Sequence, residues 1–221
     1  MEIKNRTHHD PAADLPMVDA YMAWALKAAE EVVGKQGLGI ILRENGLERF
    51  IDRYPPESLS LSNSITNADY ANLCAGLLKF YGRAGKSVVV RIGRISSRLA
   101  IERQGALFNV AARTAIKLLP LSAQIKSGLE NMQDGFRKIY KDTDLHLRLE
   151  DRGNKWAYIA EVCPICAGKE SDMHICWGWI GTLQEGTLWL TGKEFEIDEV
   201  ECRAKGAPAC VWEVSKSEKA L

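Results

Sequence analysis

The hydrophobic pattern of this 221-residue chain changes near residue 141, and that change restricts the fold. Before it, apolar residues recur at helical spacing, as in residues 15–33, a predicted helix that Gly34 and Gly37 are expected to end. After it, apolar and polar residues alternate in residues 144–162 and 194–214, each with a central turn sequence that predicts a β-hairpin. The apolar stretch at 174–190 between them predicts a buried helix ending at Gly192.

We therefore expect an α+β fold, with N-terminal helices packed on a small, mostly antiparallel sheet made of two hairpins with an intervening buried helix. Further helices are predicted at 70–81, 86–103, 106–119 and 121–140, although residues 88–92 alone could form a strand. The predicted organisation is a flexible tail at 1–14, a mainly helical part at 15–142 and a ligand-binding part at 143–215. The last two are expected to form one compact domain from 15 to 215.

Composition excludes several classes of partner. Lys plus Arg equals Asp plus Glu at 29 each, so neither a nucleic acid nor an anionic membrane is indicated. The N-terminus lacks the apolar core of a signal peptide, and no apolar run approaches the roughly 20 residues that span a bilayer. We expect a soluble, cytoplasmic protein.

Common enzyme motifs are absent from the sequence. Gly85, Lys86 and Ser87 resemble the end of a phosphate-binding loop, but Phe80 stands where that loop needs a glycine. There is no G-x-S-x-G element, and two of the four histidines lie in the predicted tail. No catalytic residue is predicted, and the sequence favours a protein that is not an enzyme.

Crowding of cysteines in the last quarter of the chain indicates a metal site. In a reducing cytoplasm thiols are better candidates for metal ligands or buried residues than for disulfides. Glu199, Cys202 and Cys210 fall on strand ends either side of a predicted tight turn, where their side chains can converge on one ion. Cys176 is the best-placed fourth ligand, because it starts the predicted helix and a helix N-terminus lowers a thiol pKa. The predicted site is a structural zinc with four protein ligands.

The same region resembles a known family. The run from Cys176 to Gly181, the spacing Glu199-x-x-Cys202, Gly206, and Cys210-x-Trp-x-Val are similar to the 4-vinyl reductase domain. That family is named for a bacteriochlorophyll-biosynthesis protein and includes phenol-sensing domains of bacterial transcription activators and archaeal hydrocarbon-binding proteins. The resemblance implies a fold like that of the haem nitric-oxide-binding and Golgi-transport proteins, and a homodimer formed through N-terminal helices. It also implies a closed apolar cavity beside a zinc held by Cys176, Glu199, Cys202 and Cys210.

An additional C-x-x-C knuckle, Cys163 to Cys166, leaves several interpretations open. With His174 or Cys176 it could bind a second zinc or share the ligands of the first. It could also be a redox dithiol, a pair of free buried thiols or, less favourably, part of an iron–sulfur site.

Aromatic residues surround the cysteines and are candidates for a ligand pocket, although aromatic residues at strand or helix spacing usually pack in a core. The resemblance implies a pocket tryptophan near Trp156, and the residues that we expect to contact a ligand are Trp156, Tyr158, Trp177 and Trp179. The leading interpretation is a binding protein that holds an apolar, aromatic or tetrapyrrole-like molecule in a closed pocket beside a structural zinc. The alternatives are an enzyme or carrier in (bacterio)chlorophyll vinyl reduction, and a scaffold or assembly protein.

Overall fold

The structure, a computed structural model, describes residues 2–103, 116–141 and 145–219. Its helices are α1 (Asp19–Glu44), α2 (Asn67–Tyr81), α3 (Gly85–Arg103), α4 (Leu121–Ile139) and α5 (Trp177–Thr191). Its strands are β1 (Ile3–Asn5), β2 (Pro16–Val18), β3 (Leu61–Thr66), β4 (Leu147–Arg152), β5 (Lys155–Ala160), β6 (Lys169–Ser171), β7 (Phe195–Glu201) and β8 (Cys210–Glu218).

The main sheet has the order β4-β5-β8-β7, and every neighbouring pair is antiparallel. The two predicted hairpins are therefore joined through β5 and β8. Alternate residues such as Tyr158, Trp212 and Ile197 are buried in the core that the helices share. The predicted α+β architecture, with a helix between two hairpins, is confirmed.

Helices α3 and α5 pack with their backbones in contact. A Cβ atom on Gly93 would lie 2.0 Å from the carbonyl oxygen of Gly178, and one on Gly181 would lie 2.0 Å from that of Val90. Glycine is required at both positions because any side chain would overlap the facing helix. This contact fixes how close α5, which begins beside Cys176, approaches the helical layer.

An ion-pair cluster around the buried Glu185 also joins these two helices. Glu185 of α5 accepts hydrogen bonds from Arg94 at 3.1 Å and from Arg98 at 2.8 Å, both on α3. Burial opposes ionisation of Glu185, but the two guanidinium groups outweigh it and lower the pKa of this carboxyl. The cluster holds α5 in register along α3.

The N-terminal segment differs from the predicted tail. Strand β1 pairs antiparallel with β6, which lies just after the C-x-x-C knuckle, and Ile3 is buried. Asp10 is also buried and accepts a hydrogen bond from the backbone N–H of Gly168 at 3.0 Å. The prediction of a tail overlooked these contacts because their partners lie more than 150 positions away along the chain.

Other differences concern helix boundaries. Gly34 adopts non-helical dihedrals (φ 75°, ψ 157°), but α1 resumes beyond it to Glu44, because Leu38 and Ile41 pack in the core. Residues 88–92 are helical, within α3. The predicted helix at 106–119 lies mostly outside the described residues. In the described part of the chain, no helix is both long enough and apolar enough to cross a membrane.

Candidate metal centre and adjoining cavity

Six buried donor residues converge where the ends of α5, β7 and β8 meet the loop between β5 and β6. Cys176 is the N-cap of α5, and Cys210 is the first residue of β8. Glu199 lies on β7 and Cys202 directly follows that strand, while the loop supplies Cys163 and Cys166. The strand ends and the helix start therefore bring together the four predicted ligands, and the knuckle joins them.

The sulfur atoms lie at short, similar distances. Cys176 Sγ is 3.8 Å from Cys202 Sγ, 3.7 Å from Cys210 Sγ and 3.6 Å from Cys163 Sγ. Cys166 Sγ is 3.5 Å from Cys210 Sγ. A tetrahedral zinc with Zn–S bonds of about 2.3 Å places its sulfurs about 3.8 Å apart. The distances thus match the edges of a zinc–thiolate tetrahedron, and they favour such a site over an iron–sulfur cluster, whose inorganic core separates the ligating sulfurs more widely.

The donors form two overlapping groups. Within each group, all four donor atoms lie within 4.8 Å of one another. The groups are Cys163, Cys166, Cys176 and Cys210, and Cys176, Glu199, Cys202 and Cys210. The second group is the predicted zinc ligand set. His174, an alternative partner of the knuckle in the sequence, is half-buried and belongs to neither group.

One of the two carboxyl oxygen atoms of Glu199 is buried without a hydrogen-bond partner. Its Oε2 accepts a hydrogen bond from the backbone N–H of Cys176 at 2.9 Å, whereas its buried Oε1 has no partner. Burial and the nearby Cys202 raise the pKa of Glu199 to about 10. Because an unpaired carboxyl oxygen is costly in an interior, its position beside thiols suits a bond to a cation.

Asp10 and Arg203 connect the two cysteine-bearing loops, and the sequence did not reveal either residue as part of the site. Arg203 donates to Asp10 Oδ1 at 2.9 Å, and its backbone N–H points to Cys210 Sγ at 3.4 Å. Asp10 Oδ2 accepts from Gly168, two residues after the knuckle. Burial opposes ionisation of Asp10, but the hydrogen bonds from Arg203 and Gly168 outweigh it and lower the pKa of Asp10. The only sequence signal for this pair was the position of Asp10 directly before Pro11. That pattern predicts a local turn and gives no information about a distant partner.

An aromatic cluster adjoins the candidate metal centre: Tyr21, Trp24, Phe136, Tyr158, Trp179 and Trp212, with neighbouring ring centroids 5.5–6.5 Å apart. Three of its polar atoms, Tyr158 Oη, Trp179 Nε1 and Trp212 Nε1, are buried without a hydrogen-bond partner. Indole and phenol groups usually find a partner when they are buried. The aromatic cluster therefore holds unused hydrogen-bonding capacity in an apolar interior.

A cavity of about 30 Å³ lies beside this cluster. Its wall includes Trp179 from the aromatic cluster and Ile165 from the knuckle, together with Tyr70 and Cys74 of α2. Burial and the nearby Cys163 raise the pKa of Cys74 to about 12, so this thiol is protonated. The cavity thus touches both the aromatic cluster and the loop that carries Cys163 and Cys166.

The four residues predicted to contact a ligand occupy two different environments. Trp179 lines the cavity, and Tyr158 packs against it at 6.0 Å between ring centroids. Trp156 instead donates its indole N–H to the carbonyl of Ser122 at 3.2 Å. Trp177 has the Lys86 ammonium 5.5 Å from its ring centroid, and neither Trp156 nor Trp177 is in the cavity wall.

Comparison with known proteins agrees with this architecture. Residues 156–216 match the model of the 4-vinyl reductase domain family, so the predicted resemblance is confirmed for the region that holds all six donor residues together with their strands and helix. This match is to the 4-vinyl reductase domain model and covers residues 156–216 of the 221-residue chain. No curated protein sequence matches the chain.

Several solved structures similar to this chain are H-NOX domains. An H-NOX family protein from work on haem distortion is 13% identical over 93% of this chain and 98% of its own, with a TM-score of 0.60. An oxygen-binding H-NOX domain related to soluble guanylate cyclases has the same identity, covers 93% of this chain and 100% of its own, and has a TM-score of 0.58. The Fe(II) unliganded H-NOX protein from K. algicida is 13% identical, with coverage of 93% and 99% and a TM-score of 0.59. The predicted relation to the haem nitric-oxide-binding fold is therefore confirmed at the level of fold.

Proposed function

We propose that this protein binds a small aromatic molecule that carries one polar atom, in an interior pocket beside a structural zinc site. The observation that carries the proposal is the set of unpartnered polar atoms on Tyr158, Trp179 and Trp212 inside an apolar cluster. A buried donor without a partner costs about 1–3 kcal/mol. A ligand that offers a hydrogen-bond acceptor among these rings would remove that cost while its apolar part stays buried.

Ligand entry requires side chains to move. The present cavity of about 30 Å³ has room for about one water molecule, and a ring the size of phenol needs more. Trp179 is half-buried and packs against Phe136 with 5.5 Å between tilted ring centroids, so rotation of these two side chains would enlarge the cavity towards the aromatic cluster. Ile165, which lies between Cys163 and Cys166, forms another part of the cavity wall.

The proposed zinc ligands are Cys176, Glu199, Cys202 and Cys210. Support comes from the 3.7 and 3.8 Å distances between sulfur atoms, which match a zinc tetrahedron, and from the free Oε1 atom of Glu199. Four protein ligands leave no coordination position for a reacting water, so zinc would act as a cross-link between α5 and the β7–β8 hairpin.

Haem does not fit the cavity. All four histidines, His8, His9, His146 and His174, are exposed or half-buried, and none is in its wall. The volume of about 30 Å³ is also far below the roughly 300–1,000 Å³ of pockets for larger ligands. A tetrapyrrole meets the same obstacle, and we therefore favour a single-ring ligand.

Phenol is expected to raise the melting temperature of the zinc-loaded protein and to quench its tryptophan fluorescence, and toluene is expected to do so at higher concentrations. Trp179→Phe keeps an aromatic ring but removes one donor, so phenol affinity should fall about 5- to 10-fold while toluene affinity changes little. Isothermal titration calorimetry measures both. Trp156→Phe is the matched control, because its indole N–H already binds Ser122. Absence of any stabilisation by either compound would contradict the proposed function.

We further infer that the protein is a homodimer, as the resemblance implies. Phe80 on α2 and Ile40 on α1 are large apolar side chains that remain exposed on N-terminal helices. Multi-angle light scattering is expected to give twice the chain mass of 24.6 kDa, and Phe80→Glu should shift the protein towards monomer. The chain mass at micromolar concentration would refute the inference.

A further inference from the structure

The C-x-x-C knuckle lies within ligand distance of two of the proposed zinc ligands. Cys163 Sγ is 3.6 Å from Cys176 Sγ, and Cys166 Sγ is 3.5 Å from Cys210 Sγ. These four sulfurs lie within 4.8 Å of one another, as do the four donor atoms of the zinc site already proposed. Cys176 and Cys210 belong to both groups.

We propose that the centre holds two zinc ions that share the thiolates of Cys176 and Cys210. Two tetrahedra that share an edge have six corners, and the two groups together supply six buried donor atoms. The shared edge is the Cys176–Cys210 pair, whose sulfurs are 3.7 Å apart. One ion completes its coordination with Cys163 and Cys166, and the other with Cys202 and Glu199. This inference rests on the proposed zinc site and adds a second ion to it.

Two ions account for donors that one ion leaves unused. A single zinc on Cys176, Glu199, Cys202 and Cys210 would leave two buried sulfurs 3.5–3.6 Å from its ligands with no metal of their own. A single zinc on the four-cysteine group would leave the Glu199 Oε1 atom buried and unpaired. The dinuclear arrangement gives each donor a metal partner.

The net charge of the two-ion centre is no larger than that of a single zinc site with four anionic ligands. Six anionic donors and two divalent ions leave two negative charges, the same net charge as one zinc with four anionic ligands. The Arg203 guanidinium lies beside the centre, and its Nη1 atom is buried with no hydrogen-bond partner. Its backbone N–H points to the shared sulfur of Cys210 at 3.4 Å. Donors of this kind stabilise thiolates that bind metal.

The surrounding structure also joins the two halves of the centre. Asp10 binds both Gly168, next to the knuckle, and Arg203, next to Cys202. Strand β1 pairs with β6, immediately after the knuckle, so the loop is held against the rest of the centre from outside. These contacts therefore fix the position of the knuckle beside the other four donors.

Native mass spectrometry and elemental analysis of the full-length, zinc-loaded protein are expected to show two zinc ions per chain. The double variant Cys163→Ser/Cys166→Ser and the double variant Glu199→Gln/Cys202→Ser should each retain one. Cys74→Ala, a buried thiol outside both groups, should retain two. With ¹¹³Cd in place of zinc, NMR of the unaltered protein should show two resonances that split each other through the shared sulfurs, a result that needs no variant to fold.

The alternatives are distinguishable. One zinc that persists in Cys163→Ser/Cys166→Ser and is lost in Glu199→Gln/Cys202→Ser would overturn the second ion and leave the proposed zinc site intact. One zinc with the opposite dependence would overturn both assignments in favour of a four-cysteine site. Two uncoupled cadmium resonances would overturn the shared thiolates, and no bound metal would overturn the whole centre.

Discussion

Cys176→Ser is expected to lose bound zinc and to destabilise the fold by at least about 4 kcal/mol, more than substitution of a cysteine that belongs to one group alone. Its sulfur contacts those of Cys163, Cys202 and Cys210, so its removal opens every metal position that the centre offers. Thermal unfolding with and without a chelator measures the effect: the unaltered protein should lose stability on chelation, and the variant should not respond.

Cys74→Ala provides the control for that experiment. This thiol is also buried, but it lines the cavity and lies outside the donor groups, so its removal should cost about 1 kcal/mol and keep the response to the chelator. A Cys176→Ser protein that keeps its zinc and melts with the Cys74→Ala protein would show that Cys176 is not a ligand.

Gly181→Ala is expected to destabilise the protein by about 3 kcal/mol or more, although alanine is the better helix former. The added Cβ would lie 2.0 Å from the Val90 carbonyl oxygen and 2.8 Å from the Arg94 backbone nitrogen, so α3 and α5 would have to separate. Chemical denaturation of the zinc-loaded protein gives the change in the free energy of unfolding.

The matched control is Gly135→Ala on α4. No atom lies within 4 Å of the position that its Cβ would take, and alanine there should stabilise the helix by about 0.5–1 kcal/mol. Equal effects of the two substitutions would contradict the close packing of α3 on α5.

The local sequence pattern predicted the C-terminal sheet well, because each pattern in that region is compatible with one kind of secondary structure. Alternation through Leu147 and Leu149 requires a strand with one buried face, and Gly153, with φ of 73°, provides the turn. The end of α5 was equally well defined, since Gly192 adopts the left-handed conformation that ends helices.

The sequence pattern predicted the structure less well where contacts between residues distant in the chain determine it. Gly34 looks like a helix end, but burial of Leu38 and Ile41 continues α1 beyond it. Residues 88–92 have the composition of a strand and form a helix, because Gly93 permits close packing on α5. Intrinsic propensity carries no information about such partners.

The candidate site was predictable only in part for the same reason. Cys176, Glu199, Cys202 and Cys210 could be grouped because strand ends and a helix start have defined geometry. Cys163 and Cys166 lie in a loop, whose path in space depends on β1 and Asp10 in the N-terminal segment. Spacing along the chain could not therefore decide how the knuckle and the other cysteines combine.

The order of strands in the main sheet has a consequence for biosynthesis. β8 lies between β5 and β7, yet it follows both of them in the chain. Until the ribosome has released residues 210–218, β5 has only β4 beside it, β7 has no neighbour in the sheet, and Cys210 is missing from the centre. Closure of the sheet and completion of the proposed metal centre thus belong to one long-range step that waits for β8, which favours slow folding over stepwise growth of the domain.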